Sequence, residues 1–169
     1  LTPEFPVATY DDVRNLIRQV TGPITLVNCI CKVAQDQLGN PCKVTQERMW
    51  CMSFSYNPDS QLEDHPSFHQ EKQILNQDQA LQRINEAEAA GLVLQPSNSR
   101  KPIFLCCCCG DCCGVLTEAK KLEKPAQYFA TNYQIHYDHT KCVACKLCLD
   151  RCQMDALSWK HTNLHINAA

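Results

Sequence analysis

No stretch of this 169-residue chain comes near the roughly 18 consecutive apolar residues that a membrane helix requires, so no membrane span is expected. Charge of one sign is also missing. With 16 basic against 18 acidic residues there is no field that would draw the chain to nucleic acid. The opening segment, Leu1 to Tyr10, has neither a basic n-region nor an apolar h-region, which speaks against a secreted scaffold. There is no Ser/His/Asp constellation, no phosphate loop and no Gly-rich nucleotide fingerprint, so the chain by itself is not expected to be an enzyme.

What it has in excess is cysteine, 14 of them. Usage this heavy belongs either to disulfide-stapled secreted domains or to metal and cluster proteins. The spacing favours the second class. Cys106, Cys107, Cys108 and Cys109 are consecutive and Cys112 adjoins Cys113, whereas each ordinary disulfide needs its own Cα separation and orientation. A reduced, cytoplasmic metal protein is the expectation.

The local signals indicate an α+β chain: a small helix-and-strand cluster-binding region over 1–100, then a cysteine-rich, ferredoxin-like segment over 101–169. Thr9 with Asp12 is a capping pair, and Val13, Leu16, Ile17 and Val20 mark one helical face that Gly22-Pro23 ends. Ile24 to Cys31 reads as a β-branched strand, which would put Cys29 and Cys31 on one side of it. Ser55 to Pro66 is polar loop. The spacer that follows is helical from Asp78, with Ala80, Leu81, Ile84 and Ala87 on one face, Gly91 as the residue after the helix and Leu92 to Leu94 as a short strand. Another helix is expected over Val115 to Glu123.

The cysteines fall into three groups. The most specific is Cys142-x2-Cys145-x2-Cys148-x3-Cys152, thiols in register on one tight loop with the fourth opening the next helix. This is the bacterial ferredoxin run, whose fourth cysteine ligates the other cluster of a two-cluster protein. Structural zinc sites usually offer two separated pairs instead. Gln153 stands where the ferredoxin run has proline, which reads as a looser turn with every ligand kept. In the middle group Cys106, Cys109 and Cys112 repeat the same register, with Cys107, Cys108 and Cys113 as further thiols; a second 4Fe–4S site is expected there, a zinc or copper-thiolate site or a reactive dithiol being the alternatives. The first group, Cys29, Cys31, Cys42 and Cys51, is complete for either a cubane or tetrahedral zinc, and its company tilts it to iron–sulfur.

Taken together, Cys29-Ile30-Cys31-Lys32, Glu86 to Val93, Gln95 to Ser99, the string Cys106 to Leu116 and the stretch Cys148 to Leu157 resemble a family of bacterial and archaeal 4Fe–4S ferredoxin-type proteins across nearly the whole chain. Glutamine after the last cysteine is usual in that family. The resemblance implies two or three 4Fe–4S clusters and a second ferredoxin run beyond this one. By the crossing rule, Cys152 would close onto the central site with Cys113 or a neighbour donating in return, or a partner would supply the missing ligand.

Electron transfer is the expected function, as a ferredoxin-type protein or a relay subunit working with a redox partner protein, in an oligomer or a hetero-complex. Lys120, Lys121, Lys124, Lys141, Lys146 and Arg151 could shape a docking surface. The alternatives are a redox-responsive regulator or adaptor and a zinc-binding structural module. Gln70 to Ala90 carries only Lys72 and Arg83 against Glu71, Asp78, Glu86 and Glu88, which disfavours DNA contact. His65 with His69, or His136 with His139, would be the acid–base candidates of a catalytic subunit.

Overall fold

The capping pair read from the sequence starts the first helix, α1 (Tyr10–Gln19): the Asp12 amide donates to the Thr9 hydroxyl and the Thr9 amide donates back to the Asp12 carboxylate, both at 3.2 Å. Val13 and Ile17 on its inner face are fully buried. The computed structural model describes residues 5–59, 71–130 and 133–167. Residues 60–66 of the expected polar loop, His65 among them, and His69 beyond it lie outside them.

A short strand β1 (Phe5–Pro6) precedes α1, and β2 (Ile24–Asn28) follows it. The strand expected to run on to Cys31 ends instead at Asn28. The register shifts between Val27 and Asn28, which pairs last, with Met49; the Cys29 amide then donates to the Arg48 carbonyl at 2.7 Å, and Cys29 becomes the N-cap of helix α2 (Ile30–Gln37). Beyond it come β3 (Met49–Phe54), β4 (Lys72–Leu75) and helix α3 (Gln77–Ala89), capped reciprocally by Asn76 and Gln79. Gly91 takes φ +68, the left-handed value that ends a helix at little cost for glycine, and β5 (Val93–Pro96) follows. The β4 strand lies just ahead of the spacer helix, in a stretch for which the sequence signals no strand.

The cysteine string itself is a strand, β6 (Phe104–Cys108), not a wrapping loop. It sits between β3 and β5 in an antiparallel sheet of order β4-β2-β3-β6-β5, so the sheet takes strands from both sides of residue 100. After it, helix α4 (Gly114–Ala119) stops short of Glu123, and β7 (Phe129–Ala130) pairs in parallel with β1. The C-terminal part holds helix α5 (Leu147–Arg151) and the hairpin β8 (Leu157–Lys160) and β9 (Asn163–Ile166). Cys152 closes α5 as its C-cap; it does not open a helix. The architecture is α+β.

Strand alternation divides the sheet into two faces. Leu26, Met52 and Leu105 stand opposite one another across β2, β3 and β6, Leu94 opposes Cys107, and all are buried with Ala80, Ile84 and Ala87 of α3. Their alternates Cys51, Cys106 and Cys108 face the other way, Cys51 directly opposite Cys106.

Candidate functional site

On that second face six thiols form a closed circuit: Cys31 contacts Cys29, Cys29 contacts Cys51, Cys51 contacts Cys106, Cys106 contacts Cys108, Cys108 contacts Cys113, and Cys113 returns to Cys31. Strands β3 and β6 supply Cys51, Cys106 and Cys108; Cys29 and Cys113 are the N-caps of α2 and α4, and Cys31 lies in the first turn of α2. Backbone amides aim at the sulfurs, Lys32 at Cys29, Gly114 at Cys31, and Val115 and Leu116 at Cys113. The Gln95 amide adds a donor to Cys113 at 3.8 Å. Hydrogen bonds from Cys113 and then Cys29 draw the Cys31 thiol down to about 2, and those from Cys108 and Cys51 draw Cys106 down to about 4. The donors are pushed up in turn: Cys108 and Cys51 by sharing their protons with Cys106, Cys29 by sharing its own with Cys31. The two lowered thiols, Cys31 and Cys106, are thus separated in the circuit by thiols whose pKa is raised.

A second, tighter group lies behind the ring. The ligand atoms of Cys42, Cys109, Asp111 and Cys112 all lie within 4.8 Å of one another, and among the described residues this is the one group of three or more Cys, His, Asp or Glu so placed. Its donor set can hold a metal ion. Cys42 Sγ stands 3.6 Å from Cys109 Sγ and 3.7 Å from Asp111 Oδ1, while the other carboxylate oxygen accepts the Lys43 amide at 2.6 Å. Lys32, only 1% exposed, reaches in with its ammonium 2.6 Å from Cys109 Sγ and 3.4 Å from Cys42 Sγ. Burial alone would lower that ammonium's pKa, but the two sulfurs outweigh it and hold it charged. For Cys42 the burial is likewise outweighed, by the amides of Thr45 and Val44 and by Lys32, so its thiol falls below its ordinary value. Burial and the Asp111 carboxylate push Cys109 up to about 11.

The consecutive cysteines thereby acquire separate destinations. Cys106 and Cys108 face the ring, Cys107 turns into the apolar core with 1% exposure, and Cys109, past the end of the strand, joins the tight group. The adjacent pairs Cys31/Lys32, Cys108/Cys109 and Cys112/Cys113 each split between the two sites.

The third group lies apart. Cys142, Cys145 and Cys148 are exposed, and Cys152 is half-buried. Within the loop Ala144 and Lys146 are left-handed, with φ 57 and 63, and Cys142 Sγ accepts the Ala144 amide at 3.4 Å. The Tyr137 hydroxyl and that amide together hold the Cys142 thiol below its ordinary value. Cys148 and Cys152 line an open apolar cavity of about 800 Å³ with Val93, Leu116, Met154 and Leu157.

Gln153 joins the segment to the central string. Its side-chain oxygen accepts the Gly110 amide at 2.8 Å, and the two backbones pass so closely that a Cβ on Gly110 would stand 1.9 Å from the Gln153 carbonyl oxygen. The turn that the sequence suggests to be loosened without proline is therefore pinned through its glutamine. An ion pair of Lys120 with Asp155 at 2.7 Å flanks the joint.

Sequence grouping and spatial grouping differ. Cys29, Cys31 and Cys51 of the first group meet Cys106, Cys108 and Cys113 of the second, and Cys42 leaves them for Cys109 and Cys112. Cys152 lies on the cavity wall and not in the ring. Sequence reasoning missed Lys32, Gln95 and Asp111 as functional residues; an unbroken Cys-Gly-Asp-Cys turn was the available signal for Asp111. All 14 cysteines are free thiols, and no helix among the described residues is long and apolar enough to cross a membrane. The sequence matches no protein-family model, and no curated protein and no solved structure matches it.

Proposed function

We propose that this chain carries electrons through 4Fe–4S centres, as a ferredoxin-type protein or the relay subunit of a redox complex. The observation that carries the reading is the loop from Cys142 to Cys148. Non-glycine residues enter the left-handed region at a cost of roughly 1–2 kcal/mol each, and Ala144 and Lys146 both do so, one just before Cys145 and one just after it. Residues of alternating hand turn successive peptide N–H groups to one side, the concave arrangement that cradles anionic groups including iron–sulfur clusters. A lone tetrahedral ion would need the thiols gathered into a compact group, as at Cys42, and neither this loop nor the six-thiol ring is gathered so among the described residues.

The ring is the second proposed centre. It offers six sulfurs spread more widely than a compact single-ion group, with amide donors that would offset the charge of a thiolate-ligated cluster and set its potential. A fully thiolate-ligated cluster supplies one-electron chemistry with no open coordination site. The redox partner would approach the loop face, where Val143 is 84% and Leu147 62% exposed beside Lys141 and Lys146.

Holoprotein purified without oxygen tests this. It should be brown, contain iron and acid-labile sulfide in equal amounts, bleach on reduction and then give a low-temperature EPR signal. Cys145→Ser should remove about four irons per chain. Colourless protein, or thiols paired with one another, would overturn the reading.

A further inference from the structure

We propose that Cys42, Cys109, Cys112 and the Asp111 carboxylate hold a single zinc-class divalent ion, separate from any iron–sulfur centre, which clamps the α2–β3 connection onto the β6–α4 turn. The proposal goes beyond the electron-transfer reading and does not depend on it.

Geometry is the first argument. Tetrahedral zinc with Zn–S near 2.3 Å and Zn–O near 2.1 Å sets edges of about 3.8 Å between sulfurs and about 3.6 Å from sulfur to oxygen. The edges here are 3.6 Å for Cys42–Cys109 and 3.7 Å for Cys42–Asp111, and all four ligand atoms fall within 4.8 Å of each other. A polynuclear cluster would hold its thiolates further apart, because its irons stand between them. Among the described residues only this group is gathered so tightly; the six ring thiols are not.

The surroundings are the second argument. Three thiolates and a carboxylate around a divalent ion leave two negative charges, and the buried Lys32 ammonium lies against two of the sulfurs to offset one. Amides of Val44 and Thr45 point at Cys42, and that of Cys112 at Cys109, so each chain segment brings its own donors to the thiolates. The Lys43 amide fixes one Asp111 oxygen and leaves the other facing Cys42, the kind of outer contact that orients a metal ligand.

The consequence concerns the neighbouring centre. Cys109 and Cys112 each adjoin a ring cysteine, Cys108 and Cys113, and Lys32 adjoins Cys31. An ion fixed on one side of these pairs fixes the partners on the other.

The test is zinc content of the full-length, anaerobically purified holoprotein after dialysis against a chelator, with Cys42→Ser and Asp111→Asn beside it. One zinc per chain in the parent and none in Cys42→Ser is expected, with Asp111→Asn binding about tenfold or more weakly. Zinc missing from the parent, or retained by Cys42→Ser, overturns the proposal. Should Cys42→Ser not fold, cobalt(II) exchanged into the parent and Asp111→Asn decides alone: tetrahedral d–d bands that shift in the variant support the site, and absent or unshifted bands refute it. Iron content judges the electron-transfer reading separately.

Discussion

The two cysteine-bearing regions place their sulfurs by opposite means. In the central region ten thiols come from two strands, two helix N-termini and the turns beside them, seven buried and three half-buried. In the C-terminal segment three exposed thiols sit on one loop at a fixed spacing, with Cys152 beyond a short helix. A loop specifies ligands by local sequence alone. A sheet specifies them by register, so residues 55 positions apart, Cys51 and Cys106, become direct neighbours. A loop can therefore be altered residue by residue, while the central sites stand or fall with the packing beneath them.

The sharpest way to separate the regions is to damage that packing. Leu105 is 1% exposed, opposes Met52 and Pro96, and lies between Phe104 and the ring residue Cys106. Leu105→Ala should cost about 2–5 kcal/mol of unfolding free energy and lower the metal content of the central sites, leaving the Cys142–Cys148 loop loaded. Chemical denaturation with metal analysis reads both. Uniform loss from all sites would show that the loop depends on the sheet after all. The next largest effect is expected at the joint. Gly110→Ala sets a Cβ against the Gln153 backbone oxygen, so one chain must give way, at about 1–3 kcal/mol. Faster proteolysis between Tyr133 and Cys142 is the expected sign that the segment has come loose.

How far these regions were legible follows from the same contrast. The α1 and α3 helices, the glycine after α3 and the loop thiols could be read because each is fixed by residues within one or two turns. The sorting of Cys106 to Cys109 among ring, core and tight group could not, since the spacing of Cys106, Cys109 and Cys112 imitates a ferredoxin loop and only the pairing of β6 with β3 and β5 shows that it is a strand. Cys29 and Cys31 do meet, but through a strand-to-helix corner and not through one side of a strand. Lys32 escaped notice because a lysine reads as surface until the fold buries it.

A smaller effect distinguishes the regions by pH. Glu47 accepts the amides of Met49 at 2.9 Å and Arg48 at 2.6 Å and pairs with Arg83 at 3.0 Å, which holds its carboxyl below the ordinary 4.5. Its contribution is thus present above that pH and is lost as the pH falls below it. Glu47→Gln should cost about 1 kcal/mol near neutrality, given its partial exposure, and flatten the acid limb of the central region's stability curve. An acid limb unchanged in the variant would assign the loss to other carboxylates.

The smallest change tests the loop by itself. Ala144 holds φ 57 although a Cβ there crowds the neighbouring carbonyl, and its amide is the one that reaches Cys142 Sγ. Ala144→Gly removes the crowding but frees the unloaded chain, so the net gain should be no more than about 1 kcal/mol. Ala144→Val adds branching where the backbone tolerates it least and should act in the opposite direction. Iron release to a chelator is then expected to slow up to about fivefold in the glycine variant, the rate equivalent of that energy, and to quicken in the valine variant, with zinc at Cys42 unaffected in both. Equal release from both variants would mean that the loaded loop is not left-handed at Ala144, and would remove the strain argument that sets this loop apart from the sheet.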